Sequence, residues 1–572
     1  MLSFHTPWWQ RFPDVLERER QGFADAGMEF ELDDTARPGQ LVVHVVYKFN
    51  ERVLHLDVVY PHLFPYFRPE ISADGDTFEI HQNPLDKRLC MTGDRSAEWY
   101  DFETAADLID RRMPELLADN DNKVGYREGQ AAPVSGFFHY LPQSTVIVDG
   151  TWTLPSGTFD AKVKANIAFN IHTIEFFRGT VSEIRRRKSR TTFRKMDNQQ
   201  GHKAQPVELS CPIIVVPELN LINDAKKQLQ ALSVMHPAAS ERHWIDLGNS
   251  SICVLGVSFK EEITPGEVGQ GFQFFLIVKT ATDEDVFRVR AQRGGITDIG
   301  TRVPQVQGLK KKVITLNGVG ALGSPAALEF ARNGAKHLLI NDRDYFDIAT
   351  SPRWVFGLPA AGGIKTFELK KHIDLHYPRT DVSAFSIHIG FADIGQGFKV
   401  YIDAMTQLFE HTNAIVDFSA EIGVQNFLHG FSVDLGVPFI FASATTGGEG
   451  GLVARFMPGS HHGCWYCLQC ALHSDEDDPV QHIPPPAMSD DGTAFPAGCT
   501  HPTFTGVSFD LQEVTLQTVR MTTQALLDKN ADSLVARLGF SGKSRIPVWE
   551  EFEVVPRPEC RTCNSRKMEA AS

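Results

Sequence analysis

Long apolar runs and an excess of positive charge are both missing from this sequence of 572 residues. No apolar run approaches the roughly 20 residues that a membrane-spanning helix needs, so we expect no membrane association. Lysine and arginine number 56 against 71 aspartate and glutamate residues, which gives a net charge of −15. That balance argues against a binder of nucleic acid or of anionic membranes, because phosphate-rich surfaces recruit positive charge.

Cysteine is also scarce, with nine residues in the whole chain. The first residues lack the positively charged and apolar regions of a secretory signal peptide, so we expect a cytoplasmic protein. In that reducing compartment the cysteines are thiols, thiolates or metal ligands rather than disulfides. The hydrophobic fraction of 42% and the charged fraction of 22% are typical of a globular protein, and the length suggests three or four domains.

A strand–loop–helix pattern begins at Val313. The apolar run Val313–Leu316 predicts a strand buried on both faces. Three glycines punctuate the loop that follows, namely Gly318, Gly320 and Gly323. Ser324 as the cap and Pro325 in the first turn then predict a helix over Ala326–Asn333. A loop of this kind lets the backbone approach a phosphate closely, while the N–H groups of the helix start bind the anion.

The pattern continues with a second apolar run, His337–Ile340, which ends at Asn341-Asp342. An acid about 20 residues beyond the glycines is placed to hold a ribose hydroxyl. The glycines alone fit NAD, FAD, S-adenosylmethionine or ATP, and chance matches occur. Their position between a strand and a helix, together with Asp342, predicts a nucleotide site.

Two cations lie beyond this acid, Arg353 and Lys365, in a segment rich in glycine and proline. A hydride-transfer site has no need for them. An adenylation site does, because negative charge builds on the phosphates as a carboxylate attacks the α-phosphorus. For either residue alone, a solvated side chain is the simpler interpretation.

Two further strands are predicted in the C-terminal part, Ala414–Asp417 and Pro438–Ser443. The alternation of strands and helices favours a Rossmann-like, doubly wound parallel α/β sheet. Ligands of such sheets lie beyond the carboxyl ends of the strands, where Gly318, Asp342 and Asp417 all fall.

Two Cys-x-x-Cys pairs follow: Cys464 with Cys467, and Cys560 with Cys563. Each pair can place two thiolates on one metal, and two pairs complete a tetrahedral structural zinc site. Such a site would join the C-terminal tail to the rest of its domain. Cys470, one turn beyond Cys467, is a competitor or a bystander.

Cys499 ends a long segment of loop composition between the two pairs. A helix over Leu511–Leu527 follows, with Asp510 and Glu513 spaced for a capping box. An exposed cysteine in a polar loop can swing to a nucleotide site, which suits a nucleophile that meets an acyl-adenylate. The alternative is an incidental loop cysteine, although exposed free thiols are a liability.

Residues 1–125 predict an α+β domain. A helix over Pro7–Gly27, kinked or restarted at Pro13, precedes two hairpin strands, Leu41–Phe49 and Val53–Tyr60. A segment with three prolines follows, and a helix from Thr104, broken or kinked at Pro114, closes the domain.

Cys90 is the notable residue of this part. It follows His81-Gln82-Asn83, and the basic neighbours Lys87 and Arg88 favour its thiolate. The commonest alternative for a free cysteine is a small buried side chain.

Residues 130–305 predict a central mixed α/β domain without a chemical motif. Six short strands are expected here: Thr145–Val148, Lys164–Phe169, Pro212–Val216, Ile252–Val257, Phe272–Val278 and Val286–Val289. Ile184–Lys195 is strongly basic and reads as a solvated loop, with recognition of an acidic partner as a minority interpretation. Cys211 and Cys253 have no paired spacing and are expected in the core.

The C-terminal pattern resembles the ubiquitin-activating superfamily, whose simpler ThiF- and MoeB-type relatives adenylate the C terminus of sulfur-carrier proteins. Residues 306–572 would then form the adenylation domain. The resemblance implies that Asp342 binds ribose, that Arg353 and Lys365 bind the phosphates of ATP, and that Cys499 forms a thioester. It also implies that the paired cysteines hold Zn²⁺. Ala420 stands where the family has its Mg²⁺-holding aspartate, which leaves Asp417 or Glu421 as a substitute.

The N-terminal pattern resembles the ubiquitin-conjugating fold, with Gln82 where that family has proline. This resemblance implies a thioester on Cys90, an Asn83 amide that donates to the oxyanion, and a His81 that orders the loop. In proteins similar to this one, the central region is a degenerate second adenylation-like fold.

A conjugating-like domain ahead of an activating-like domain resembles the bacterial fusion of type II CBASS anti-phage operons. The implied partner is the C terminus of a CD-NTase or a ubiquitin-like protein, the implied acceptor is a lysine of a target protein, and a homodimer through the adenylation domain is implied as well. The alternatives are a sulfur-carrier adenylyltransferase or sulfur-transfer enzyme, a non-catalytic scaffold that binds a partner, and, more distantly, a dinucleotide oxidoreductase.

Overall fold

The structure is a computed structural model that describes most of the chain. The described residues are 6–37, 39–73, 75, 78, 81–91, 99–100, 102–122, 134–150, 152–169, 174–184, 187–188, 204–264, 267–294, 303–390, 397–473, 493–494, 503–558, 560 and 562–563. The chain separates into two compact units, Met1–Gly294 and Gly295–Ser572. None of the helices in the described residues has the length and apolar character to cross a membrane.

The first unit opens with two helices, Trp8–Arg11 (α1) and Pro13–Asp25 (α2), so the predicted restart at Pro13 is confirmed. A meander of four antiparallel strands follows: Glu29–Arg37 (β1), Gln40–Phe49 (β2), Arg52–Tyr60 (β3) and Glu70–Ala73 (β4). The helix Ala105–Asn122 (α3) completes this part.

Helix α3 continues through Pro114, so of the two predicted outcomes, a break or a kink, the break is wrong. An interior proline costs about 3 kcal/mol. The apolar face of α3 offsets this, because Leu108, Met113 and Leu116 are at most 2% exposed and belong to the core cluster of this part. Burial of each such side chain contributes about 1.5–3 kcal/mol.

Glu19 is an ionisable group inside this core. It is 2% exposed, and its Oε2 atom accepts hydrogen bonds from the Tyr60 hydroxyl at 2.7 Å and the Ala105 N–H at 2.9 Å. Its Oε1 atom has no hydrogen-bond partner among the described residues. Burial raises the pKa of Glu19 from 4.5 to about 7, although the Ala105 and Tyr60 hydrogen bonds oppose the shift.

Substitution of Glu19 by glutamine is expected to stabilise the first unit at high pH. The pKa is higher in the folded than in the unfolded state, so the stability from this group is complete below pH 4.5 and is lost as the pH rises towards 7. Glu19→Gln should therefore gain about 2–3 kcal/mol at pH 8 and little at pH 4.5. Calorimetric melting at both pH values checks this, with the exposed Glu17→Gln of the same helix as the control. An equal gain at both pH values would contradict the prediction.

The second part of the first unit is mainly β. Its strands are Thr145–Val148 (β5), Gly157–Phe169 (β6), Ile174–Ile184 (β7), Arg187–Lys188 (β8), Gln205–Val215 (β9), Ile245–Asp246 (β10), Ser251–Thr264 (β11), Glu267–Lys279 (β12) and Glu284–Arg293 (β13). One α-helix, Ala225–Met235 (α4), and two 3₁₀ turns, Val134–Phe137 and Pro237–Ser240, accompany them in the described residues. Five of the six predicted strands fall within these, the predicted strand Pro212–Val216 runs one residue past the end of β9, and most observed strands are longer than predicted.

These strands close into a barrel. Pairing runs in the order β11-β12-β13-β5-β7-β6-β9, and β9 pairs again with β11. Alternate residues face opposite sides: Ile252 and Val254 belong to the interior cluster, whereas Cys253 and Leu255 belong to a second cluster beneath α4. The expected second adenylation-like fold is therefore wrong for the described residues, because that fold is an open parallel sheet between helices. Cys211 and Cys253 are 0% exposed, as predicted.

The second unit is built on an eight-stranded sheet. Its strands are Val313–Asn317 (β14), His337–Asn341 (β15), Asp381–Phe385 (β16), Ala414–Asp417 (β17), Phe439–Ala444 (β18), Gly450–Phe456 (β19), Leu534–Ser541 (β22) and Ile546–Phe552 (β23). A separate short pair is formed by Thr493–Ala494 (β20) and Thr503–Phe504 (β21). The order is β16-β15-β14-β17-β18-β19-β22-β23, and the first five strands are parallel. The predicted doubly wound parallel sheet is confirmed, with three antiparallel strands added at one side.

The α-helices in the described residues of this unit are Gly323–Arg332 (α5), Lys365–His376 (α6), Phe398–Phe409 (α7), Ile422–Leu435 (α8), Trp465–Leu472 (α9) and Ser508–Leu527 (α10). Two predicted helix caps are wrong. Ser324 lies inside the first turn of α5, where its hydroxyl donates to the Gly320 carbonyl at 2.7 Å. Asp510 lies inside α10 and accepts from Arg545 at 2.9 Å, so it does not form a capping box with Glu513.

Candidate functional site

The glycine loop joins β14 to α5 at the carboxyl edge of the parallel sheet. Gly318 has a φ of +82°, and a Cβ there would lie 2.9 Å from the backbone carbon of Phe418. A Cβ on Gly323 would lie 1.9 Å from the Gly318 carbonyl oxygen. Both positions therefore require glycine for the tight turn and the close helix approach. Nothing lies within 4 Å of a Cβ on Gly320, so open space faces this position.

Asp342 follows β15 and is joined to this loop. Its Oδ2 atom accepts the Val319 N–H at 2.8 Å, and its Oδ1 atom accepts the Asp344 N–H at 2.9 Å. Each carboxylate oxygen has a second lone pair, so the group can still accept from ribose hydroxyls. Burial raises the pKa of Asp342, and the nearby charge of Lys365 opposes that shift.

Lys365 begins α6 and reaches the same edge. It is 8% exposed, and its Nζ atom lies 3.0 Å from Oδ2 of Asp344. Its backbone N–H also donates to the Asp344 carbonyl at 3.1 Å. This side chain lies beside the carboxylate of Asp344 and near that of Asp342, where it is placed to meet an anionic ligand.

Arg353 lies in the loop between β15 and α6. The neighbouring Trp354 donates its indole N–H to the Val319 carbonyl at 2.8 Å, which fixes this loop against the glycine loop. Burial lowers the pKa of the half-buried Arg353, which still leaves the guanidinium charged near neutral pH. The structure thus joins four predicted elements: the glycines, Asp342, the Arg353 loop and Lys365.

A chain of buried polar groups, which the sequence reasoning missed, crosses the ends of three adjacent strands. Asn341 donates to Asn317 Oδ1 at 2.9 Å, and Asn317 donates to Asp417 Oδ1 at 2.7 Å. Asn341 also bonds the backbone of Ile387 in both directions. Each of the three polar residues is the last of its strand, and they stand opposite each other in register. The sequence does contain a signal for this chain, because each of these polar residues ends a buried apolar strand.

Asp417 ends this chain and is 0% exposed. Its second oxygen accepts from the Ser419 hydroxyl at 2.9 Å and from the Ser419 N–H at 3.3 Å. Burial raises the pKa of Asp417 to about 6, although these hydrogen bonds oppose it. Both oxygens are thus engaged inside the protein, and the carboxylate does not fit a direct Mg²⁺ ligand. Ala420 is exposed and offers no oxygen, so Glu421 is the remaining exposed carboxylate of this turn.

The four paired cysteines form one cluster. The Sγ atoms lie 3.9 Å apart for Cys464 and Cys467, 3.4 Å for Cys464 and Cys560, and 3.7 Å for Cys467 and Cys563. All four residues are at most 7% exposed. A tetrahedral zinc site with Zn–S bonds of 2.3 Å has sulfur atoms about 3.8 Å apart, so the spacing fits zinc.

The environment of these four thiols also favours a bound metal ion. A hydrogen bond to Cys467, together with burial, raises the pKa of Cys464, whereas the same hydrogen bond lowers the pKa of Cys467 to about 5, and burial raises the pKa of Cys563 to about 11. Buried thiolates need a cation to offset their charge. The cluster joins the tail to the N-terminus of α9, as the sequence predicted.

Cys90 is exposed, so the alternative of a small buried side chain is wrong. It ends a turn-back of the chain, residues 81–90, which we call the Cys90 hairpin. Gln82 pairs with Leu89 there, and the Cys90 N–H donates to the His81 carbonyl at 2.8 Å. Arg88 is ion-paired with Glu70 at 2.9 Å, which reduces its effect on the thiol.

Asn83 and His81 are held within the same hairpin. Oδ1 of Asn83 accepts the Leu85 N–H at 2.9 Å. The His81 ring lies 3.4 Å from Oδ2 of Asp119 on α3. His81 therefore faces α3 from the hairpin, although its Nε2 atom makes no hydrogen bond among the described residues.

Two predicted features fall outside the described residues. Cys499 is one, and most of the basic segment Ile184–Lys195 is the other. No distance between Cys499 and the nucleotide edge is therefore assigned.

The comparisons with known proteins cover different parts of the chain. Residues 295–560 match the ThiF family. This segment is a little less than half of the chain, and it contains the glycine loop, Asp342, Arg353, Lys365 and three of the four clustered cysteines.

Two curated relatives from Sinorhizobium fredii (strain NBRC 101917 / NGR234) extend further. Uncharacterized protein y4oA is 28% identical over 597 residues, which cover 97% of this chain and 97% of y4oA. Uncharacterized protein y4qC is 28% identical over 519 residues, which cover 86% of each chain. The similarity to y4oA therefore runs through both units.

Two solved structures are similar in part. E. coli MccB with ATP aligns with a TM-score of 0.33 and 15% identity, over 47% of this chain and 71% of MccB. Selenomethionine PaaA aligns with a TM-score of 0.32 and 15% identity, over 44% of this chain and 66% of PaaA, just under two thirds of its length.

The arrangement at the sheet edge has a definite chemical capacity. A glycine loop and a helix N-terminus can cradle phosphates, Asp342 can accept from ribose, and Lys365 with Arg353 can balance phosphate charge. The described residues of this edge supply binding and electrostatic groups.

Proposed function

We propose that the C-terminal unit uses ATP to adenylate the C-terminal carboxylate of a partner protein. The observation that carries the proposal is the union of the glycine loop, Asp342 and Lys365 at one sheet edge, inside the segment that matches the ThiF family. Cytoplasmic location follows as part of the proposal.

The adenylation step follows from these groups. A carboxylate oxygen of the partner attacks the α-phosphorus, the bond to the bridging oxygen of the β-phosphate breaks, and pyrophosphate leaves. Lys365 and Arg353 balance the charge that builds on the phosphates, and Asp342 fixes the ribose. ATP would enter as its magnesium complex, and we assign no protein ligand to that ion.

Two thioesters would follow adenylation. The Cys499 sulfur attacks the acyl carbon and AMP leaves, and then the Cys90 sulfur attacks the same carbon and Cys499 leaves as the thiol. A lysine amine of a target finally displaces Cys90, while the Asn83 amide donates to the oxyanion. The exposure of Cys90 and the hydrogen-bonded setting of Asn83 support these last steps.

The partner that we propose is a CD-NTase, or else a ubiquitin-like protein, in bacterial anti-phage defence of the type II CBASS kind. The resemblance of the two-part architecture supports this choice. We also propose a homodimer through the adenylation unit. Helix α7 supports it, because Phe398 and Ile402, which share one face of the helix, are 60% and 42% exposed and leave apolar surface for a second copy.

The substitution Lys365→Ala is expected to lower ATP–pyrophosphate exchange about 100-fold, because the loss of one preorganised charge at the phosphates weakens the transition state by that order. The exchange is measured with a purified CD-NTase that ends in glycine or alanine. The matched control is Lys371→Ala, in the same helix but with a 70% exposed side chain paired to Glu368. Equal loss in both variants would contradict the assignment of Lys365, and no exchange in the wild type with any such partner would contradict adenylation.

A non-catalytic scaffold that binds the partner is the second candidate. The engaged carboxylate of Asp417 and the alanine at position 420 favour it. Such a scaffold would bind the CD-NTase without any exchange. A sulfur-transfer enzyme would instead show exchange but leave Cys90 without a role.

A further inference from the structure

We infer that the barrel is a positioning element for the Cys90 hairpin and acts through Leu85. The contact is a property of the first unit alone. Its consequence for chemistry rests on the proposed thioester at Cys90. Leu85 would be a positioning residue, because it acts on Asn83 and not on the reacting atoms.

The hairpin packs on the barrel through this leucine. Leu85 is partly buried and contacts the cluster that lies on the outer face of the barrel beneath α4. Core members of that cluster include Phe138, Cys253 and Phe275, all at most 5% exposed. The barrel is closed by the β9–β11 pairing, so this outer face is part of a continuous sheet that cannot open at an edge.

The same residue fixes Asn83. The Leu85 N–H donates to Asn83 Oδ1 at 2.9 Å, which determines which side of the amide carries oxygen and which carries the NH₂ group. Asn83 is also held through its backbone, because its N–H donates to Arg88 at 2.8 Å and its carbonyl accepts from Lys87 at 2.9 Å. A shift of Leu85 therefore turns the amide that would meet the oxyanion.

The strained backbone of the hairpin gives this contact a role beside the pairing of Arg88 with Ser72 of β4, which also holds the hairpin. His81 and Lys87 have φ values of +61° and +60°, a backbone region that side chains other than glycine adopt at a cost. A donor to an oxyanion acts only when it is held within tenths of an ångström of the productive position. Burial of Leu85 against the barrel stabilises the strained turn and holds the amide in place.

The test uses the full chain with Leu85→Ala, with Leu85→Met as the conservative rescue. Leu63→Ala is the matched control, since Leu63 is a 38% exposed leucine of the same part of the unit. Amide hydrogen exchange at Asn83, Leu85 and Cys90 reports the hairpin without any need for activity. The second measurement is single-turnover transfer from the Cys90 thioester, loaded with a CD-NTase and ATP, to free lysine.

Leu85→Ala should speed exchange at these amides at least tenfold and slow transfer about tenfold, with loading of Cys90 within twofold of the wild type. Leu85→Met and Leu63→Ala should resemble the wild type. Unchanged exchange in Leu85→Ala would overturn the inference, and so would faster exchange with an unchanged transfer rate. Absence of any thioester in the wild type would count against the proposed function instead, and hydrogen exchange would then decide the contact alone.

Discussion

Alanine at position 499 is expected to abolish the thioesters of both cysteines while leaving pyrophosphate exchange within a fewfold of the wild type. Adenylation needs only the nucleotide edge, whereas each thioester needs the first sulfur to take the acyl group from AMP. Cys90→Ala should still form one thioester, at Cys499. Non-reducing gels of each variant with a CD-NTase and ATP, with and without added thiol, measure both outcomes.

The control for this pair of variants is Cys470→Ala, since Cys470 is a partly buried cysteine outside both proposed steps. It should keep both thioesters. A Cys499→Ala protein that still loads Cys90 would rule out the two-step order. Loss of exchange in that variant would show that residue 499 serves the nucleotide site rather than acyl transfer.

The purified protein is expected to contain about one tightly bound zinc ion per chain. Cys560→Ser should lose that ion and lower the melting temperature of the second unit by more than 10 °C. Structural zinc contributes about 10 kcal/mol or more to folding, and a cluster with three thiolates and one hydroxyl holds it far less well. Elemental analysis and calorimetry measure the two effects.

Cys470→Ser is again the matched control, because it lies in the same helix as Cys467 and has no place in the cluster. It should keep both zinc and melting temperature. Wild-type protein without zinc would contradict the site. An equal loss in both variants would show that the effect is not specific to the cluster.

The sequence predicted the second unit better than the first, and the physical reason is visible in particular strands. Val313–Asn317 and Ala414–Asp417 are short apolar runs bounded by polar residues, so their ends can be read directly. The barrel strands Gly157–Phe169 and Ser251–Thr264 are much longer, and only their most apolar segments were recognised. Closure depends on the pairing of Gly256 with Ile213, a long-range register that local patterns do not contain.

The residues of the candidate site also differ in whether the sequence could predict them. Gly318, Asp342 and Lys365 follow a local spacing, so the sequence alone predicts them as site residues. The Asn317–Asn341–Asp417 chain depends on three strands being adjacent and in register, which the sequence does not state. Leu85 is similar, because the barrel strands of its partner cluster, from Ile214 to Ile277, lie more than 120 residues further along the chain, in a sheet whose closure was not foreseen.

The packing of α10 on α5 fixes one end of the segment that contains Cys499. Thr515 donates its hydroxyl to the Leu322 carbonyl at 3.1 Å, so the start of α10 is anchored beside the glycine loop. Cys499 stands nine positions before Ser508. Nine fully extended residues span at most about 32 Å, so covalent geometry alone keeps the Cα atom of residue 499 within that distance of the Cα atom of Ser508.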